Sequence, residues 1–240
     1  MKYEEFGSGD RETIMFLHGG NVAGWMWGAQ VPAFDDFHVL VPDLPGFGQS
    51  NEQPWPGMAG AADAVAELIR ERAQHGRAHV VGLSLGSSVA VELALRHPEA
   101  CIDLFLASAS VTPSRSRAAP IMFALWRRRW FWAALARGYG LPADSIDLFV
   151  ETGLGISEDS ARAIYKEVSA GTDVSTLAVP YLAVAGERDA KSISETSRRA
   201  LGGAVAPGLH HQWNIEDPQL FNGSLRAWVT TGTLGVGLRE

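Results

Sequence analysis

A single cysteine, Cys101, stands in 240 residues. No internal disulfide framework is possible, and a reducing compartment is the expected setting. Metal-site spacing is missing too, since there is no HExxH and no second cysteine from which to build a zinc site. No uncharged apolar stretch approaches the ~20 residues of a membrane helix. The nearest, "IMFALWRRRWFWAALA" (121–136), is cut by three arginines. The N-terminus, "MKYEEFGSGD", carries acidic residues where a secretory signal needs a positive start and an apolar run. Blocks of like charge are absent apart from Arg127, Arg128 and Arg129, and the net charge is −7, which argues against a nucleic-acid partner. These absences predict a soluble, cytoplasmic protein acting on a small molecule, without metal or cofactor, and leave monomer and homodimer equally open.

What is present is ordinary globular composition, 46% hydrophobic and 20% charged, in a chain long enough for one substantial core. Apolar runs at 13–20, 37–43, 79–83, 101–109, 179–186 and 203–208 do not alternate with polar residues, so they read as strands buried on both faces of a parallel sheet. Helical patterns fall between them at 59–76, 87–98, 193–201 and 217–229, with Gly76 a candidate C-terminal cap. Strands alternating with helices predict an α/β fold with right-handed crossovers. The interval 113–176 breaks this rhythm, being helical in pattern and too long for a crossover. It reads as a helical insertion between two parts of one core, 1–112 and 177–240.

"GLSLG" (82–86) follows one strand run and precedes a helix. Glycines two residues either side of Ser84 permit a sharp strand-to-helix turn that lifts its hydroxyl over the sheet end. The helix start supplies backbone N–H groups for a developing anion. "HGG" (18–20), after an earlier strand, offers a second such turn, making the N–H groups of Gly20 and Leu85 the candidate oxyanion donors. Read alone, "HGG" serves equally as a plain glycine turn.

Four separated motifs, "LHGGNVAGWMW" (17–27), "VPDLPGFGQS" (41–50), "VVGLSLG" (80–86) and "VAGERD" (184–189), followed by a histidine pair, resemble the α/β-hydrolase family from about residue 12 to 229. The resemblance implies a mostly parallel sheet with flanking helices, a helical cap at 113–176 and a Ser-acid-His triad in that chain order. Its acid belongs in the loop after the strand run at 179–186, where Asp189 stands. Glu187 reads as a turn holder, Asp43 as part of the structural turn "DLPGFG", and Asp103 as sitting at the wrong end of its strand. In the family pattern the catalytic histidine precedes, by five to seven residues, an acid and a proline that open the last helix. From His211 that count reaches Glu216 and Pro218; from His210 it reaches Ile215 and Asp217. His211 is therefore the expected general base, and His210 a loop residue. His18 reads as a brace for its turn.

A serine nucleophile points to esterase, thioesterase, lactonase, amidase or carbon–carbon bond hydrolase chemistry through an acyl-enzyme. Asn21, Trp25, Trp126 and Trp213 are the expected substrate contacts, while most other aromatics of the insertion read as packing. The run 127–129 reads as the solvated side of a helix. Two other readings stay open: a lyase or cofactor-independent oxygenase using His211 without acylating Ser84, and a receptor-like ligand-binding protein.

Overall fold

The apolar runs form the strands they predict. In the computed structural model, which describes residues 1–113, 119–190, 193 and 203–239, β2 (Thr13–Leu17), β3 (His38–Asp43) and β4 (Ala78–Leu83) are buried at every position. They join β5 (Cys101–Ala107), β6 (Tyr181–Gly186) and β7 (Ala204–Ala206) in one parallel sheet, in the order β3-β2-β4-β5-β6-β7. Continuous burial of Val, Leu, Ile and Ala is what a strand covered on both faces requires.

A seventh strand escaped the sequence reading. β1 (Lys2–Phe6) is exposed along its length and pairs antiparallel with β3, Lys2 opposite Asp43 and Phe6 opposite Val39. Its charges carry no apolar signal, yet they hold it in place: Glu5 accepts from Arg72 at 2.6 Å and pairs with the buried His38 ring at 3.0 Å. Charged residues also suit a sheet edge, where they discourage further pairing.

Helices α1 (Gly57–Arg72) and α2 (Leu85–Arg96) connect β3 to β4 and β4 to β5, and they pack on each other. α1 ends four residues before Gly76. Ala73 turns extended, at φ −79° and ψ 149°, and the Gln74 N–H donates to Thr13 Oγ1 at 3.1 Å. Gly76 instead closes a short 3-10 turn with φ +65°.

The stretch between β5 and β6 contains α3 (Ala119–Ala124), α4 (Arg129–Gly138), α5 (Ile146–Gly155) and α6 (Glu158–Ala170), and no described residue there is in a strand. Their shared centre is aromatic. Trp132 is fully buried, stands edge-on to Trp126 at 4.6 Å, and rests on Gly153, where a Cβ would meet its ring. The expected helix at 193–201 lies outside the described residues apart from Ile193.

After β7 come α7 (Trp213–Glu216) and α8 (Pro218–Thr231). Asp217 caps α8 by accepting the Leu220 N–H at 3.0 Å, and Pro218 opens it. Phe221 on α8 meets Phe105 and Trp213 at ring-centre distances of 5.4 and 4.5 Å. The glycine-rich tail folds back along β7: Val205 and Arg239 exchange backbone hydrogen bonds of 2.7 and 3.0 Å. No described helix is long and apolar enough to cross a membrane.

Candidate active site

Ser84 occupies the turn between β4 and α2 with φ 54° and ψ −109°. A left-handed backbone of this kind costs a side-chain-bearing residue about 1–3 kcal/mol and survives only where its surroundings enforce it. Here the Ser84 N–H donates to Ala107 O at 2.8 Å. Ser87 Oγ also reaches Gly82 O and Ala107 O, at 2.8 and 2.9 Å. Both glycines of the motif are sterically demanded. A Cβ on Gly82 would collide with the Gly86 carbonyl, and one on Gly86 with the carbonyl of Leu17. The helix thus starts hard against two strands and leaves Ser84 at the crest.

The "HGG" turn is braced as expected. His18 is fully buried; its Nε2 accepts the Leu44 N–H at 2.9 Å, so its proton sits on Nδ1 and is donated to Gly19 O at 2.8 Å. Burial holds His18 below the usual histidine pKa, so it stays neutral. Asp43 is likewise structural, accepting N–H groups from Gly24 at 2.7 Å and Gln49 at 2.8 Å.

Gly20, Asn21, Ser84, Leu85 and Trp126 line one cavity of about 260 Å³. As the first residue of α2, Leu85 carries an N–H with no acceptor inside its helix. A Cβ on Gly20 would meet nothing within 4 Å, so that turn is open on the cavity side. The remaining walls are Phe47, Met122, Tyr139, Ile156 and one face of α6, namely Ala161, Ile164, Tyr165 and Val168. Spacing of three and four residues along 161–168 is the period of a single helix face, a signal present in the sequence. Among the described residues, no charged side chain lines the cavity.

Two of the expected substrate contacts lie elsewhere. Trp213 is fully buried in the body core against Phe105 and Phe221. Trp25 faces a second pocket with Tyr3, Leu148 and Gln49, and its indole N–H donates to Thr152 Oγ1 at 3.1 Å. Proximity in sequence to a functional residue set both expectations, and local chain direction defeats both.

The histidine pair divides cleanly. His211 Nδ1 lies 2.8 Å from Asp189 Oδ2, with the carboxylate side chain 3% exposed. That contact puts the proton on Nδ1 and leaves Nε2 as a free acceptor. Asp189 Oδ1 accepts the Ala190 N–H at 2.6 Å, and the Ser108 hydroxyl donates to the His211 carbonyl at 2.9 Å. His210 is gripped by Glu216 instead, through its N–H at 2.7 Å and its Nδ1 at 2.9 Å. The loop bearing both histidines crosses the end of β6 so closely that a Cβ on Gly186 would strike the carbonyls of Leu209 and His210. Glu187 holds the turn below, accepting the Gly208 N–H at 2.8 Å. Asp103 pairs with His79 at 2.9 Å, near the start of β4 and β5, at the end of the sheet remote from Ser84.

One residue of this region went unread in the sequence. Tyr139, in the turn after α4, lines the cavity and lies 5.3 Å from the His211 ring, centre to centre. Burial, with a smaller contribution from the charge of Asp189, pushes its phenol up to about 12, so it remains neutral.

A parallel α/β sheet with a strained serine at a strand-to-helix turn and a paired histidine and carboxylate beyond later strands defines a hydrolase-type architecture. The family profile described as alpha/beta hydrolase fold matches residues 12–146, more than half of the chain. The chain belongs to that family. It is 29% identical to an AB hydrolase superfamily protein of Gibberella zeae, over 94% of this chain and 83% of that protein. It is also similar, at 36% identity over 45% of this chain and 41% of the other, to the pimeloyl-[acyl-carrier protein] methyl ester esterase of Aeromonas hydrophila subsp. hydrophila. Among solved structures, a hydrolase from Pseudomonas aeruginosa PA01 superposes with a TM-score of 0.79 at 25% identity, covering 95% of this chain and 94% of that one.

Proposed function

We propose that this chain is a serine hydrolase cleaving a small, largely apolar ester, or a related thioester or lactone, through an acyl-enzyme. Ser84 is the nucleophile and His211 Nε2 takes its proton. The serine oxygen adds to the substrate carbonyl, and the resulting oxyanion is held by the N–H groups of Gly20 and Leu85. Collapse expels the alcohol or thiol, which receives the proton from the imidazolium; water then repeats the sequence on the acyl-enzyme. Asp189 fixes the tautomer of His211 and stabilises its charged form.

The observation that carries this reading is Ser84 itself, held at φ 54° on the floor of an apolar cavity. Asn21, at φ 67°, shares the cavity wall with it, and positive φ at side-chain-bearing residues gathers at working sites. An uncharged lining favours a neutral, apolar acyl or aryl group, with Asn21 and Trp126 among its contacts. Ester cleavage by the Aeromonas relative supports the same chemistry. Helices α3–α6, within 113–176, form the cap over a core of 1–112 and 177–240. A cytoplasmic setting accords with the single, buried Cys101.

The test is hydrolysis of short p-nitrophenyl esters together with fluorophosphonate labelling. Ser84→Ala is expected to lose about 10⁴-fold or more in kcat and all labelling. Normal turnover by that variant would sink the assignment. A folded wild-type protein that the probe fails to label would point instead to base catalysis by His211 alone.

A further inference from the structure

The turn that ends α4 meets both histidines at once. Tyr139 lays its ring beside His211, with centres 5.3 Å apart and planes inclined by 34°. Its neighbour Gly140 has φ +76°, and a Cβ there would stand 3.2 Å from His210 Nδ1 and 3.4 Å from Glu216 Oε2. Tyr139 is itself rigidly placed. Its N–H reaches Leu135 O at 3.0 Å, and Phe149 stands edge-on to its ring at 6.2 Å. The imidazole of His211 is 13% exposed, so most of it faces protein rather than water.

We propose that Tyr139 is a positioning residue for His211: its ring covers one side of the imidazole, holds it in the plane set by Asp189, and stabilises the imidazolium formed during turnover. The proposal rests on the reading of Ser84 and His211 as nucleophile and base. Its physical basis is independent of substrate. Aromatic rings 4.5–7 Å apart attract beyond simple area burial, and a cation within about 6 Å of a ring centre is drawn to its π face. A ring in this place also keeps water from the His211–Asp189 hydrogen bond, which strengthens in a drier setting. Because Tyr139 belongs to the helical segment and His211 to the loop after β7, the base is fully aligned only while that segment is seated.

Ring and hydroxyl are separated by substitution. Tyr139→Leu removes the ring and keeps an apolar side chain, and is expected to lower kcat by about 5- to 30-fold, the span from an exposed to a desolvated cation–aromatic contact. Tyr139 also lines the cavity, so KM is measured separately and the loss expected of a positioning residue is the one in kcat. Tyr139→Phe restores the ring and is expected to recover most of kcat. In spectra of ring-labelled histidine, the His211 signal, identified by its loss in His211→Asn, shifts in the leucine variant and returns close to its place in the phenylalanine one. Tyr139→Met serves where leucine fails to fold, and far-UV circular dichroism reports folding for each.

Three results overturn the proposal: kcat unchanged in Tyr139→Leu, a change in KM alone, or a phenylalanine variant as impaired as the leucine one. Failure of the underlying reading looks different, because Ser84 of the wild type would then go unlabelled by fluorophosphonate. The histidine spectra still decide the role of Tyr139 in that event, since an unmoved His211 signal in Tyr139→Leu refutes it without any turnover.

Discussion

Gly86 has no room for one more carbon. Its absent side chain is where α2 touches the end of β2, so Gly86→Ala must drive helix and strand apart. We expect a loss above about 3 kcal/mol, at the upper end for a single substitution, visible as a lower urea midpoint. Wild-type stability in that variant would contradict the packing. Of the adjacent histidines, His211→Ala should lower ester turnover by about 10³-fold or more while His210→Ala keeps most of it; the reverse order would shift the register by one. Counting to an acid and a proline singles out His211 as the base, and it is His211 whose Nδ1 lies 2.8 Å from Asp189 Oδ2. The structure adds why that acid is present: Glu216 serves His210, and Asp217 caps the helix. Tyr139 was illegible at this scale, because no spacing in one chain reveals which cap residue folds back onto a loop some 70 positions away.

Among elements, the turn carrying His18 is sensitive to acid. Its Nε2 faces the Leu44 N–H, so a proton there would set two donors against each other in a buried site. Burial depresses the folded pKa below the usual 6.5, so between those values the unfolded chain takes up a proton that the folded one refuses. The His18 contribution is complete above about pH 6.5 and declines as the pH falls below it, by at most about 1.4 kcal/mol per pH unit. Urea midpoints across pH 5–7 should therefore slope less in His18→Asn, which cannot titrate. Equal slopes would deny His18 that role. Six strands were readable because short apolar runs bounded by turn residues fit strands covered on both faces. β1 was not, since its five residues include three charged ones and no apolar run, and its pairing to β3 is specified by partners far along the chain. The wall-forming face of α6 was readable in period, though its destination was not.

Over the whole molecule, the alternation of strands and helices from β2 to β5, and the helices among the described residues between β5 and β6, followed from pattern. How the helical segment docks did not, because single polar contacts tie it down. Trp55 donates its indole N–H to Glu167 at 2.8 Å, and Trp25 does the same to Thr152 at 3.1 Å. Trp55→Phe keeps a ring against Phe47 and loses the bond to a carboxylate, worth about 1.5–3 kcal/mol. Amide exchange in α6 should quicken by tenfold or more while β4 and β5 hold their protection. Unchanged exchange in α6 would mean that the segment is held by its apolar contacts alone.

Cys101 opens β5 at the end of the sheet away from Ser84, buried, with its thiol pushed up to about 12 by its surroundings. At neutral pH it is both protonated and out of reach of electrophiles. The natural chain thus behaves as though it were cysteine-free. A cysteine introduced at Ile121, which is 64% exposed on α3, would be the sole thiol available to a maleimide dye. Single-molecule fluorescence of the helices above Ser84 therefore needs one substitution and no prior removal of native sulfur.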